Sequence, residues 1–420
     1  MRFHHVIVCA LAVGGSGTAH AQQPGDTLRL AAAEAMALQA NPMLQAARFS
    51  AAAAAERVGP AGALPDPQLQ FGLMNRMASD FGSTMDPMTM NQVQLMQMLP
   101  WPGKLGGARA AARHSAGAAS ADAEEQARML AAQVRMTYSE AAYTDRALDV
   151  MRGTQALLRQ FLDVSTTMYA VGNAVQQDVL RAQVEVARMT EDITRMAQER
   201  VAMAARLNAL LGREAATPIG ALELPEPGED LPEADSLIAR ALDARPALRA
   251  GAERVAAAEA SLSAARRELY PDFQVGVQYQ QRPQFPNMLS LMFGVNLPIF
   301  AGSKQLVMRR QMAAMRDMSQ AELVNLRNET AARIIETRAR AVQDRNLVRL
   351  YRTSIVPQAR SAVQAAFASY QVGRVTFMQL IENQMTVNRY ETESYRLVAD
   401  YQQALGELEA LVGGPLEGQP

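Results

Sequence analysis

The chain carries one architecture written twice. "LQANPML" (Leu38–Leu44) lines up with "LDARPAL" (Leu242–Leu248), so that Pro42 falls on Pro246, and Pro67 falls on Pro271 with no gap between. "LPWPGK" (Leu99–Lys104) is echoed by "LPIFAGSK" (Leu297–Lys304), which places the only two lysines at corresponding positions. "YAVG" (Tyr169–Gly172) returns as "YQVG" (Tyr370–Gly373), 201 residues on. Three landmarks in one order mark an internal duplication. Whatever the first copy folds into, the second must fold into as well.

Each copy reads as a helix, two strands, a very long helix, a sharp turn and a long return helix. The expected units are residues 22–212 and 235–413, joined by a linker at 213–234 and followed by a tail at 414–420. The joint is rich in Pro, Gly and acids (Pro218–Asp235). Uninterrupted helix is predicted over Gly103–Met168 and Gly302–Ser369, roughly 100 Å each at 1.5 Å per residue, with Pro357 expected to bend the second. The return helices show a coiled-coil seam at alternating spacings of three and four. It runs from Val179 to Leu210, with Arg200 its one polar break, and again from Leu380 to Leu411.

The strands alternate in a way that demands two different surroundings. Phe273, Val275, Val277 and Tyr279 point one way and Gln274, Gly276 and Gln278 the other. Leu291, Phe293 and Val295 repeat the pattern, as do Leu69, Phe71 and Leu73, and Val93 and Leu95. The second pair has strands of about 10 residues, the length that crosses a bilayer. In lipid an open sheet edge leaves backbone groups unpaired at several kcal/mol each, and only a closed barrel removes it. A barrel needs about eight strands, so several chains must pool theirs, with lipid on the apolar face and water on the Gln/Gly face. The rival expectation is a soluble sheet packed on the chain's own helices.

Composition removes most chemistry. Arg2, the apolar run Val6–Val13 and Ala19-His20-Ala21 read as a secretory signal over residues 1–21. Cleavage after Ala21 would remove Cys9, the only cysteine, and all histidines but His114. Thiolate catalysis, disulfides and Cys/His metal sites are then excluded. His114 sits in an Ala-rich helical stretch with no triad around it. No enzyme and no cofactor is expected, and a net charge of −1 argues against nucleic acid as a partner. No later apolar segment is long enough for a membrane helix.

With these features together, the mature chain resembles the TolC-like outer-membrane efflux family. The resemblance rests on "LQANPML" and its repeat, on "NLPIFAG" after the fourth strand, and on "YAVG" and "YQVG" at the turns. It implies a mainly α fold with a four-stranded β contribution. Long helical hairpins would form a trimeric α-barrel in the periplasm, and three chains would share a 12-stranded barrel in the outer membrane of a Gram-negative cell. "DPQLQFGL", "MDPMTM" and "QMLPWPGKLG" further resemble the heavy-metal branch (cobalt-zinc-cadmium and copper-silver types). That branch implies an exit duct working with a periplasmic adaptor and an inner-membrane resistance-nodulation-division pump. Organic drugs or protein export remain alternative cargoes, and a soluble periplasmic coiled-coil scaffold remains the alternative from another class.

Two sets of residues follow as candidate sites. The resemblance places a closed, adaptor-docking tip at Tyr169–Gly172 and Tyr370–Gly373. Asp178, Arg181, Arg374, Gln379 and Glu382 stand near it as candidate latch residues, and Glu382 as a possible three-fold cation-selecting ring. The second set is the methionine-rich first hairpin. Met85, Met88 and Met90 are weak candidates for a soft-metal site because thioethers suit Cu(I) or Ag(I). Flexible apolar filling is the more ordinary reading of the same residues.

Overall fold

The computed structural model describes residues 28–76, 88–228, 230–283 and 285–416. The signal segment and Met85 lie outside these residues, as does the end of the tail. Two short helices open each copy: α1 (Leu30–Ala40) and α2 (Pro42–Glu56), with a one-turn α3 (Val58–Ala61), then α6 (Ala234–Ala244) and α7 (Pro246–Arg267). Strands β1 (Gln68–Met74) and β2 (Met90–Leu99) follow in the first copy, β3 (Asp272–Gln281) and β4 (Met288–Asn296) in the second.

The long helices are α4 (Lys104–Ala170) with return helix α5 (Gln176–Leu210), and α8 (Gln305–Leu350) with α9 (Val356–Gln371) and return helix α10 (Phe377–Val412).

The duplicated prolines mark matching kinks. Pro disfavours helical backbone in the residue before it, and Asn41 (φ −66°, ψ 122°) and Arg245 (φ −67°, ψ 122°) both leave the helix in the same way. Against each kink comes the end of a return helix. Gly212 (φ +69°) lies so close to Ala40 that a Cβ would meet its carbonyl oxygen at 2.7 Å, and Gly413 (φ +85°) would meet that of Ala244 at 2.8 Å. Left-handed backbone and lack of space both demand glycine there.

The second long helix is not uninterrupted. A π-helical segment, Tyr351–Ile355, separates α8 from α9 immediately before Pro357. The reason lies in the repeat offset. Buried Val134, Thr137, Ala141 and Leu148 on α4 correspond to buried Ile334, Thr337, Ala341 and Val348, all 200 apart. Beyond the π segment the offset is 201, as for Ser165 with Ala366 and Tyr169 with Tyr370. The second copy therefore holds one extra residue, and a π turn absorbs one residue without rotating the helix beyond it. The widened turn also frees the carbonyl that the Pro357 ring would strike.

The return-helix seams lie in the helical core. Ala182, Met189 and Leu207 of the first are buried, as are Leu380, Val387, Leu397, Tyr401, Ala404, Leu408 and Leu411 of the second. Arg200, the polar break, is neutralised by Asp145 (Nε to Oδ1 2.6 Å) and donates to the Gly220 carbonyl.

Candidate functional site

The four strands form one sheet in the order β1-β2-β3-β4, every neighbour antiparallel. Pairing across the copies puts Leu95 opposite Val277 and Leu99 opposite Phe273, while Val277 also faces Leu291 and Val275 faces Phe293. The Leu, Val, Phe and Tyr residues of all four strands therefore share one face, together with Asn91, Gln97 and Gln281, while the strand methionines lie on the other. That face is open in the single chain, with Phe71 at 75 % and Phe293 at 80 % exposure, and Phe273, Val277, Tyr279, Leu291 and Val295 also exposed. Val275 is half-buried between its cross-strand neighbours. The opposite face carries Gln70, Gln94, Gln274 and Gln278; the Gln278 amide donates to Gln92 Oε1. Among the described residues, the outer edges of β1 and β4 have no strand partner.

Where sheet meets helices, Lys104 is buried between two carboxylates, 2.9 Å from Asp272 and 3.3 Å from Glu268. Asp272 also accepts from the Trp101 backbone at 2.8 Å, and the Trp101 ring stacks on Tyr270 and Phe273 at 5.0 and 5.9 Å. This junction ties the first copy to the second. Its counterpart in the second copy, around Lys304, Ile299 and Phe300, is exposed. The sequence paired the two lysines but gave no sign of that difference.

At the far end, the two helical reversals are superimposable in kind. Gly172 (φ +78°) and Gly373 (φ +68°) take left-handed backbone. Asn173 N–H returns to the Met168 carbonyl and Arg374 N–H to that of Ser369, closing the helix ends. A Cβ at either glycine would meet nothing, so the requirement there is conformational alone.

The structure sorts the tip residues. Asp178, in the first turn of α5, lies beside Tyr370, in the last turn of α9, so the two reversals of one chain meet. Burial pushes the Tyr370 phenol up to about 12, and the Asp178 charge adds to the rise. Burial likewise raises Asp178, with the phenol hydroxyl partly offsetting it. The hydroxyl is buried with no partner in hydrogen-bond geometry, so the contact with Asp178 is electrostatic here.

Gln379 caps a helix: its side chain accepts from Thr376 N–H at 3.1 Å while Thr376 accepts from Gln379 N–H, a capping box that starts α10. Arg181 turns to Glu185 on its own helix at 3.6 Å. Tyr169, Arg374 and Glu382 are exposed. The Thr376-x-x-Gln379 pattern was legible in the sequence as a helix start and points to the cap. Met90 sits opposite Met74 on the glutamine face and Met88 is exposed. No cluster of His, Cys, Asp or Glu able to hold a metal exists among the described residues. No helix of the described residues is long and apolar enough to cross a membrane.

Comparison with known proteins agrees with this geometry. The fold is similar to that of the outer membrane protein VceC from Vibrio cholerae (17 % identity, TM-score 0.78, covering 92 % of this chain and 97 % of that one). It is similar to CusC, described through its transmembrane channel formation (16 % identity, TM-score 0.77, 93 % of each chain). It is also similar to the open state of the MtrE outer membrane channel of Neisseria gonorrhoeae (17 % identity, TM-score 0.77, covering 92 % and 89 %). No curated protein matches the chain. The outer membrane efflux protein family matches residues 35–213 and 237–414, nearly the whole of both copies. The chain belongs to the outer membrane efflux protein family.

Proposed function

We propose that the chain is the exit duct of a tripartite efflux assembly. It acts as a homotrimer whose 12-stranded barrel stands in the outer membrane and whose helical hairpins reach into the periplasm. Residues 1–21 direct export, and the units 22–212 and 235–413 each supply one strand pair and one helical hairpin. The observation that carries this reading is the sheet. One face is apolar except for Asn91, Gln97 and Gln281 and is open, the other is rich in amides and methionines, and among the described residues both edges lack partners. Only a closed barrel in lipid satisfies all three.

Substrate moves passively through the lumen, with energy supplied by a resistance-nodulation-division pump in the inner membrane through a periplasmic adaptor. The adaptor docks at the reversals around Gly172 and Gly373, and the Asp178–Tyr370 contact holds the tip closed. Phe273, Val275, Val277, Tyr279, Leu291, Phe293 and Val295 face lipid. The cargo is heavy-metal cations. The support for this is a lumen lined by uncharged amides and thioethers, with Met74 and Met90 paired across β1 and β2, donors that suit soft cations. The test is a deletion strain challenged with copper, silver, cobalt, zinc and cadmium salts and, separately, with organic antibiotics. Sensitisation to metals alone supports the reading. Sensitisation to antibiotics alone reassigns the duct to organic drugs.

A further inference from the structure

A groove crosses the boundary between the two copies within the helical hairpins. Helix α4 of the first copy and α9 of the second form its walls, and α10, which packs on both, forms its floor. Its lining recurs at helical spacing, with Gly153, Leu157 and Phe161 on α4, Val363 and Phe367 on α9, and Gln384 and Val387 on α10. The groove holds about 590 Å³, inside the range of roughly 300–1,000 Å³ found for small-molecule sites. From Asp149 to Phe161 it runs roughly 18 Å at 1.5 Å per residue.

Its features are those of a site rather than a packing defect. Gln384, on the floor, is only 2 % exposed, yet its side-chain amide makes no hydrogen bond among the described residues. An amide left unpaired at that depth is costly, and a partner in the groove removes the cost. Gly153 stands inside a 67-residue helix, where glycine is among the poorest helix formers. Its backbone is not left-handed and a Cβ would meet nothing within 4 Å, so neither conformation nor close packing calls for it. What the missing side chain does is keep the wall open. At one end Phe161 and Phe367 stack with centroids 5.3 Å apart. At the other end the charges are already paired: Glu391 holds Arg360 at 2.5 Å, and Asp149 lies 4.0 Å from Arg146 and 3.8 Å from Arg152.

We propose that the groove binds an uncharged aromatic molecule carrying one hydrogen-bonding group. Its rings lie against Phe161, Phe367 and Leu157, and its polar group meets the Gln384 amide. That amide offers a donor at Nε2 and an acceptor at Oε1, so a ketone or a secondary amine pairs with it equally. A charged ligand is excluded, since it must either leave its charge unpaired among apolar walls or break an ion pair that the chain already makes. The site uses neither the strand methionines nor the sheet, so it stands whatever cargo the duct carries.

Benzophenone, an uncharged diaryl ketone that inserts into neighbouring C–H bonds under near-ultraviolet light, is the probe, applied to the detergent-extracted full chain. Peptide mass mapping should place an adduct on Leu157, Val363 or Val387, with a yield that saturates as the probe concentration is raised. The exposed strand residues Phe71 and Phe293 meet any apolar probe and serve as the internal standard. Gly153→Leu fills the groove and favours helix, so groove labelling should fall about tenfold while strand labelling holds. Gln384→Leu keeps the size and removes the hydrogen bond, and should lower groove labelling about fivefold. The site is overturned if the wild type gives no groove adduct, or one that rises without saturating. Equal groove labelling of the wild type and either variant overturns it as well.

Discussion

Asp178 and Tyr370 meet across the two helical reversals of one chain, a carboxyl from the first copy against a phenol from the second. Neither belongs to the other's helical hairpin, so the contact measures how the two tips sit together. If it holds the periplasmic end closed, Tyr370→Phe and Asp178→Asn should each increase single-channel conductance in planar bilayers. A contact of hydrogen-bond strength contributes about 0.5–1.5 kcal/mol, and in the proposed trimer three symmetric copies would multiply it. Because the two substitutions remove one shared contact, the double variant should conduct no more than the larger single. Additive effects would show that the residues act separately.

Glu382 and Arg181 are expected to matter less for closure. Arg181 pairs within its own helix and both side chains are exposed, so Glu382→Ala with Arg181→Ala should change conductance less than Tyr370→Phe does. Uptake of vancomycin by cells carrying each variant gives the same comparison. A larger effect from the Arg181 and Glu382 pair would move the latch away from Tyr370.

The sheet faces give the clearest contrast. Val277→Arg or Phe293→Arg should cost about 2–4 kcal/mol if near the bilayer midplane, read as loss of heat-modifiable trimer in outer-membrane fractions. Gln278→Arg, on the amide face, should insert as wild type does. Equal insertion of all three would reverse the face assignment.

Lys104 and Lys304 should respond unequally. Lys104→Met leaves Asp272, and in part Glu268, without their cation at the sheet–helix junction, a cost of about 2–3 kcal/mol once the exposure of Glu268 is allowed for. Exposed Lys304→Met should change stability by less than about 0.5 kcal/mol. Chemical denaturation of the detergent-solubilised variants measures both, and similar losses would contradict the buried pairing of Lys104.

Asp344, on α8, predicts a pH signature. Burial, with the Asp400 charge adding to it, raises its carboxyl from 3.8 to about 6, partly offset by Arg340, and one carboxylate oxygen has no partner. A raised folded pKa means that the favourable contribution is complete below about pH 4 and is lost as pH rises through about 6. Asp344→Asn should therefore stabilise the protein at pH 8 by about 2–3 kcal/mol at most, and the gain should vanish near pH 4. Thermal melts at both pH values decide it; an equal gain at each would point to packing rather than charge.

The two-copy plan, the strand faces and the helical seams were all legible in the residues alone. The plan is a long repeat, and the other two are local periods, of 2 along Phe273–Tyr279 and of about 3.5 along Leu380–Leu411, which burial follows directly. Even the π segment was foreshadowed, since the landmarks stand 200 apart at Lys104 and 201 apart at Tyr169. Which copy faces which emerges only on folding. Asp178 and Tyr370 lie in different copies, as do Lys104 and Asp272, and no periodicity links residues so far apart. Nor could it tell that Lys104 is buried and Lys304 exposed, because equivalent positions acquire different neighbours once a repeat ends at a chain boundary. The first copy finds its partner within the chain, while the second presents the same surface outward.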